Sequence, residues 1–162
     1  MNFPNWFARI GVSDQQARQR VQEAFHTIFF DSEEKFYQDV DADSGCMVDT
    51  GNIDARTEGM SYGMMMAVQM DRKDLFDKLW CFAKRYMHHA EGKYEGYFAW
   101  SVQLDGKHNA EGPAPDGEEY FAMALFMAAA RWGDGQGIFD YTAQGRDILR
   151  HCVHQHEMVH EL

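Results

Sequence analysis

The stretch "RTEGMSYGMMMAVQM" (residues 56–70) decides how this chain is read. Its methionines, Ala67 and Val68 describe an apolar helix, yet Glu58 stands at its mouth, where an ionisable group needs a reason. A second stretch, "PDGEEYFAMALFMAAA" (115–130), repeats the arrangement with Asp116 in the same place. Laying Glu58, Gly59 and Tyr62 over Asp116, Gly117 and Tyr120 aligns carboxylate, glycine and tyrosine, and Met65 falls on Met123. Each set opens an apolar helix, so both carboxylates are expected on one rim of a helical assembly built from repeated units.

Working outward, Ser13 is a helix N-cap before "DQQARQRVQEAFHTIFF", where Ala17, Val21, Ala24, Phe25 and Ile28 recur at three-and-four spacing. From 31 to 57 the period is lost among Asp, Gly and Ser, which predicts a loop with short extended pieces. A helix resumes over 61–70. The next, in "DRKDLFDKLWCFAKRYMHH", carries an apolar stripe of Leu75, Leu79, Phe82, Ala83 and Tyr86 and is expected to be half exposed. Residues 120–132 are apolar nearly all round, as in a helix enclosed by others, and a last helix starts at Tyr141. Apolar helix, amphipathic helix, long loop, apolar helix, amphipathic helix is the order of αα-hairpins with an inner and an outer layer. The expectation is an all-α fold forming a single domain over 1–162. The Gly- and Pro-rich loop between the hairpins is too long to be idle.

Composition narrows the function. With 26 acidic against 15 basic residues and a formal net charge of −11, the chain repels phosphate backbones and anionic membranes, so neither nucleic acid nor membrane is expected as a partner. The N-terminal segment lacks the charged start and apolar run of a secretory leader, and Cys46, Cys81 and Cys152 form no CxxC pair. A reduced, cytoplasmic protein is expected. Aromatics make up 14 % of the chain, and "YEGYFAW" sets several beside glycine, which suits a cleft that stacks on flat ligand faces.

Two carboxylates on one rim fit glycosidic bond cleavage, where a protonated carboxyl donates to the leaving oxygen and a second acts as base or nucleophile. A helix N-terminus favours the anion, so Glu58 as the donor needs burial and a neighbouring negative charge to keep its proton. The competing role for each carboxylate is a helix cap. "HEMVH" (156–160) matches the HExxH zinc pattern, but only an upstream residue could complete the site, and a solvated helix end is preferred. "DVDADSG" (39–45) has Ser44 where a calcium loop requires glycine. No Gly-rich nucleotide loop is present, so neither metal nor cofactor is expected.

"DARTEGMSYGMMMAVQ", "GYFAWS" and "EGPAPDGEEYFAMAL" together resemble glycoside hydrolase family 8, and within it the branch that releases xylose from the reducing end of xylo-oligosaccharides. The resemblance implies an (α/α)6 barrel of inner and outer helices with its cleft at the N-terminal ends of the inner ones. By motif it implies Glu58 as general acid, Asp116 as the aspartate that holds the sugar at the cleavage subsite, and Trp100 as an aromatic lining that subsite. It also implies inversion on short β-1,4-xylo-oligosaccharides, with a base roughly 6.5–9.5 Å from the acid. In the family that base lies on a later helix, and about five helices are visible here. The expectation is therefore a partial, truncated barrel that self-associates or is complemented by a missing C-terminal half. The alternative is a non-catalytic remnant that binds carbohydrate or associates with itself.

Overall fold

The computed structural model describes residues 6–154. The chain divides into two compact units, Met1–Phe36 and Tyr37–Leu162.

In the first unit a 3-10 turn, Trp6–Ile10, precedes helix α1, Asp14–Phe30. Ser13 starts α1 with a reciprocal pair: its Oγ accepts from the Gln16 N–H at 3.2 Å, and Gln16 Oε1 accepts from the Ser13 N–H at 2.9 Å. Two of the orphan amides of the first turn are satisfied this way; the N-cap falls at Ser13 as expected, and the return bond from Gln16 adds to it. Phe25 and Phe29 stack along the helix at 4.4 Å between ring centroids.

The second unit begins with a departure from the all-α expectation. Strands β1 (Tyr37–Asp39), β2 (Gly45–Asp49), β3 (Asp54–Arg56), β4 (Ser101–Val102) and β5 (His108–Ala110) form one antiparallel sheet in the order of the chain. The strands run two to five residues, too short to show a period of two, and β2 through β4 are largely buried, which removes the alternation that betrays a half-exposed strand. "DVDADSG" is the hairpin between β1 and β2. The Asp41 carboxylate accepts from the Asp43 and Ser44 amides at 2.8 and 2.7 Å and pairs with Arg85, so it serves the turn.

Four helices complete the unit: α2 (Thr57–Gln69), α3 (Lys73–Phe82), α4 (Pro115–Trp132) and α5 (Tyr141–His154). Helix α2 packs on α3 and α4, and α4 on α5, as expected for two hairpins with α2 and α4 inside. The inner pair is parallel. At one end Gly117 lies against Thr57, so closely that a Cβ there would stand 2.5 Å from Thr57 Oγ1. At the other, Asp71, just past α2, accepts from Trp132 Nε1 at 2.7 Å. Two parallel helices in contact bring both N-termini to one rim.

Burial corrects three details. Helix α3 hides Leu75, Phe76, Leu79, Trp80 and Phe82, a broader face than the stripe read from the sequence. Met60 and Met64 are core, while Met65, Met66 and Met70 are only half buried. Helix α4 is not enclosed: Tyr120 and Met123 are 41 % and 53 % exposed, because among the described residues nothing covers that side.

Candidate active site

Strand β3 feeds directly into α2. Arg56 is at once the last residue of β3 and the N-cap of the helix, in extended conformation and without a side-chain cap. The first helical amide is satisfied by the sheet: the Thr57 N–H donates to the Trp100 carbonyl at 3.0 Å, next to the Arg56–Ser101 pair of the β3–β4 ladder. Trp100 is thereby fixed beside the start of α2, and its own N–H donates to the Gly112 carbonyl at 3.1 Å. Helix α2 begins four residues before the expected 61, so Glu58 sits within its first turn.

The rim expected from the repeat is present. Glu58 and Asp116 occupy the first turns of α2 and α4 and both are exposed. One turn further in, Tyr62 and Tyr120 meet edge to face, with ring centroids 5.4 Å apart and an interplanar angle of 88°. The Tyr62 phenol is held above its ordinary value, first by desolvation and then by the charges of Glu58, Tyr120 and Asp116, with a hydrogen bond to Glu58. With Gly117 against Thr57 and the two tyrosine rings in contact, the first turns that carry Glu58 and Asp116 adjoin at one end of the helix pair. The expectation that Glu58 is buried fails: methionines 60 and 64 point into the core, one hundred degrees and more around the helix from position 58.

Trp100 is 37 % exposed, enough to present a ring face to a ligand. Arg56 lies over it, Cζ 5.4 Å from the ring centroid. The guanidinium is itself held by Asp54, Nε to Oδ1 at 3.0 Å, and the buried Asp54 also accepts from Ser101 Oγ at 2.7 Å. A sheet-anchored ion pair thus orients the aromatic platform. An exposed aromatic face beside two carboxylates can take a flat, largely apolar ligand face together with hydrogen-bonding hydroxyls.

One buried carboxyl beside the rim carried no motif signal in the sequence. Glu118, two residues beyond Asp116, is 1 % exposed and accepts from the Phe98 N–H at 3.0 Å, with Cys152 Sγ of α5 at 3.6 Å. Burial, together with the charge of Asp116, pushes its carboxyl up to about 7 against the pull of those two donors. It ties the start of α4 to the segment bearing Trp100. No motif marks it; the only signal was a second acid inside "PDGEEY" at a helical position that faces inward.

Among the described residues one group could hold a metal, His89, His108 and Glu111, whose ligand atoms lie within 4.8 Å of one another. "HEMVH" falls outside the described residues. The three cysteines are free, and no described helix is long and apolar enough to cross a membrane.

Residues 17–161 match Glycosyl hydrolases family 8. The chain is 52 % identical over 156 residues to the reducing-end xylose-releasing exo-oligoxylanase Rex8A of Paenibacillus barcinonensis, covering 96 % of this chain and 41 % of that protein. It is 54 % identical over 151 residues to the reducing end xylose-releasing exo-oligoxylanase of Bifidobacterium adolescentis, 93 % and 40 % of the two chains. Endoglucanase 2 of Ruminiclostridium josui is 30 % identical over 107 residues. The structure of Rex8A complexed with xylose superposes with a TM-score of 0.92 over 96 % of this chain and 42 % of that one. The chain spans about two fifths of the length of these exo-oligoxylanases. With a family match along nearly all of it and more than half its residues identical to those relatives, the chain belongs to glycosyl hydrolase family 8.

Proposed function

We propose that the chain is the acid-bearing part of a family 8 glycosidase that cleaves short β-1,4-xylo-oligosaccharides with inversion. Glu58 donates the proton to the leaving oxygen, Asp116 holds the sugar at the cleavage subsite, and Trp100 stacks on it. The general base that activates water on the opposite face comes from protein outside these 162 residues, roughly 6.5–9.5 Å from the acid. The observation that supports this reading is that the helix starts bearing Glu58 and Asp116 adjoin, with Tyr62 against Tyr120, and that Trp100 is tied to the start of α2 by the Thr57 amide. Its likeness to exo-oligoxylanases, stronger than to an endoglucanase, supports xylose units as substrate.

Incubation with xylotriose tests it, with the chain alone and co-expressed with the C-terminal portion of the Paenibacillus barcinonensis relative. Xylose released only in the second case, and lost in Glu58→Gln, is the expected result. No release in either case would sink the enzymatic reading; release undiminished by Glu58→Gln would sink the assignment of the acid.

A second reading, association without catalysis, is favoured by an apolar groove of about 420 Å³ along α4 and α5, lined by Ala122, Met123, Phe126, Met127, Ala130 and Leu149. Its occupant in this reading is the remainder of a family 8 fold, which completes the core without restoring activity. Calorimetry with xylotriose separates the two: binding without cleavage in the completed protein favours association alone.

A further inference from the structure

We infer that His89, His108 and Glu111 form a binding site for one divalent ion of the zinc type, separate from the rim of Glu58, Asp116 and Trp100 and independent of the glycosidase reading. The residues come from two segments. A π-helical turn, Ala83–Met87, ends α3 and leads into His89, while His108 opens β5 and Glu111 follows it.

The geometry around His108 carries the argument. Its Nε2 lies 2.8 Å from the Tyr86 carbonyl, one of the carbonyls left without a helical partner where the π turn stops. A carbonyl only accepts, so the proton sits on Nε2. The other nitrogen, Nδ1, points at Glu111 Oε2 from 2.7 Å. With Nε2 held by the carbonyl, Nδ1 is the ring nitrogen turned to Glu111, and the two atoms stand where one cation can bridge them. Histidine ligands of metals are held in this way, the second ring nitrogen donating to a backbone carbonyl.

His89 supplies the third donor. Its Nε2 donates to the Glu111 carbonyl at 2.8 Å and lies 3.8 Å from Glu111 Oε2. Its ring meets that of His108 edge to face, centroids 5.3 Å apart. Tetrahedral donors about 2.0–2.2 Å from a zinc ion are about 3.3–3.6 Å from one another. The separations from Glu111 Oε2 of 2.7 and 3.8 Å bracket that range, and the third, between the two imidazoles, is within 4.8 Å, so a turn of the His89 ring away from the Glu111 carbonyl closes the set. Two imidazoles and one carboxylate are the donor set of zinc or a neighbouring transition metal and a poor one for calcium or magnesium. Glu111 is exposed, which leaves the fourth position to water.

Binding sets the ion between His108 Nδ1 and Glu111 Oε2, and His89 gives up its hydrogen bond to the Glu111 carbonyl, its proton passing from Nε2 to Nδ1, as the ring turns Nε2 to the metal. The ion then staples the turn after α3 to the loop that runs through Gly112 to α4. Because the Trp100 N–H rests on the Gly112 carbonyl, that loop helps hold the aromatic platform. The role is structural, since no rim residue is a ligand.

Protein stripped with chelator and titrated with zinc sulfate by calorimetry tests this. One ion bound per chain and a raised Tm are expected. Glu111→Gln and His108→Gln should each weaken binding at least tenfold. Glu111 is exposed, so its variant reports on binding even where His108→Gln disturbs the loop. The double variant His156→Ala/His160→Ala should bind as the parent does. Absence of stoichiometric binding, binding unchanged in Glu111→Gln, or binding lost only in the 156/160 double variant would each overturn the proposal.

Discussion

Glu118 gives the most direct quantitative handle on the site. Its carboxyl is raised from 4.5 to about 7 by burial, so the folded chain holds a proton that the unfolded chain has released over that interval. For an acid shifted upward, the native state is favoured fully below pH 4.5 and loses that advantage as pH rises through 7. At 1.36 kcal/mol per pH unit, the loss between pH 5 and pH 8.5 comes to about 2.5 kcal/mol. Glu118→Gln keeps an oxygen for the Phe98 amide and a similar volume, and it places an uncharged amide against Cys152 Sγ, a weak acceptor. The variant has nothing to ionise, so the term disappears.

Urea unfolding followed by circular dichroism at pH 5 and pH 8.5, for parent and variant, measures the difference. The variant should gain about 2.5 kcal/mol on the parent between the two conditions. His88 titrates in the opposite sense: burial pushes it down to about 4, so its contribution is lost as pH falls below 6.5. That term is common to both proteins and cancels in the comparison. If parent and variant differ by the same amount at both values, the buried carboxyl is not the group that links stability to pH, and the anchoring role argued for it falls.

Gly117→Ala would press a methyl against Thr57, and overpacking of about 1–3 kcal/mol outweighs the helix-propensity gain of about 1 kcal/mol, so a lower urea midpoint is expected. An unchanged or higher midpoint would mean that α2 and α4 do not meet as closely as stated. Ile53 is β-branched, 61 % exposed and left-handed at φ 55°, so Ile53→Asn should stabilise by about 1 kcal/mol and raise Tm by about 2–4 °C. A fall in Tm would show that Ile53 is held there by packing.

The sequence made the helices legible because their signals are local and strong. Ser13 with Gln16 fixes one start, and the apolar runs of α2 and α4 fix the inner layer. The rim was legible through the repeat of carboxylate, glycine and tyrosine, since residues matched on parallel helices in contact must meet. What stayed hidden depends on long-range partners. The strands are too short for a period, and β3 pairs with β4 across more than forty residues, so no local pattern announces the sheet that positions Trp100. The roles of Glu118, His89 and His108 likewise rest on partners such as Phe98 and the Tyr86 carbonyl, at distances that sequence spacing does not encode. A hint lay in His108 and Glu111, three apart in a loop already suspected of function.

The rim and the uncovered side of the molecule are the same surface. Asp116, Tyr120, Met123 and Met127 recur at four-and-three spacing along α4, so the stripe that begins with Asp116 runs into the apolar groove. A carboxyl that donates a proton works best out of water, and Glu58 is exposed. In the proposed function, protein that covers the groove therefore also walls the cleft, and completing the core and completing the site are one event. Met123→Glu separates this from a rim that is independent of the groove. With 53 % of its surface in water, Met123 can carry the charge without disturbing the isolated chain, whose Tm should stay within about 2 °C of the parent. Buried under added protein, the same carboxylate has no partner in the groove and should cost about 3 kcal/mol or more, enough to abolish co-purification with the C-terminal portion of the relative and, with it, xylose release. Release that survives in Met123→Glu would show that the cleft closes without the groove and would refute the link between them.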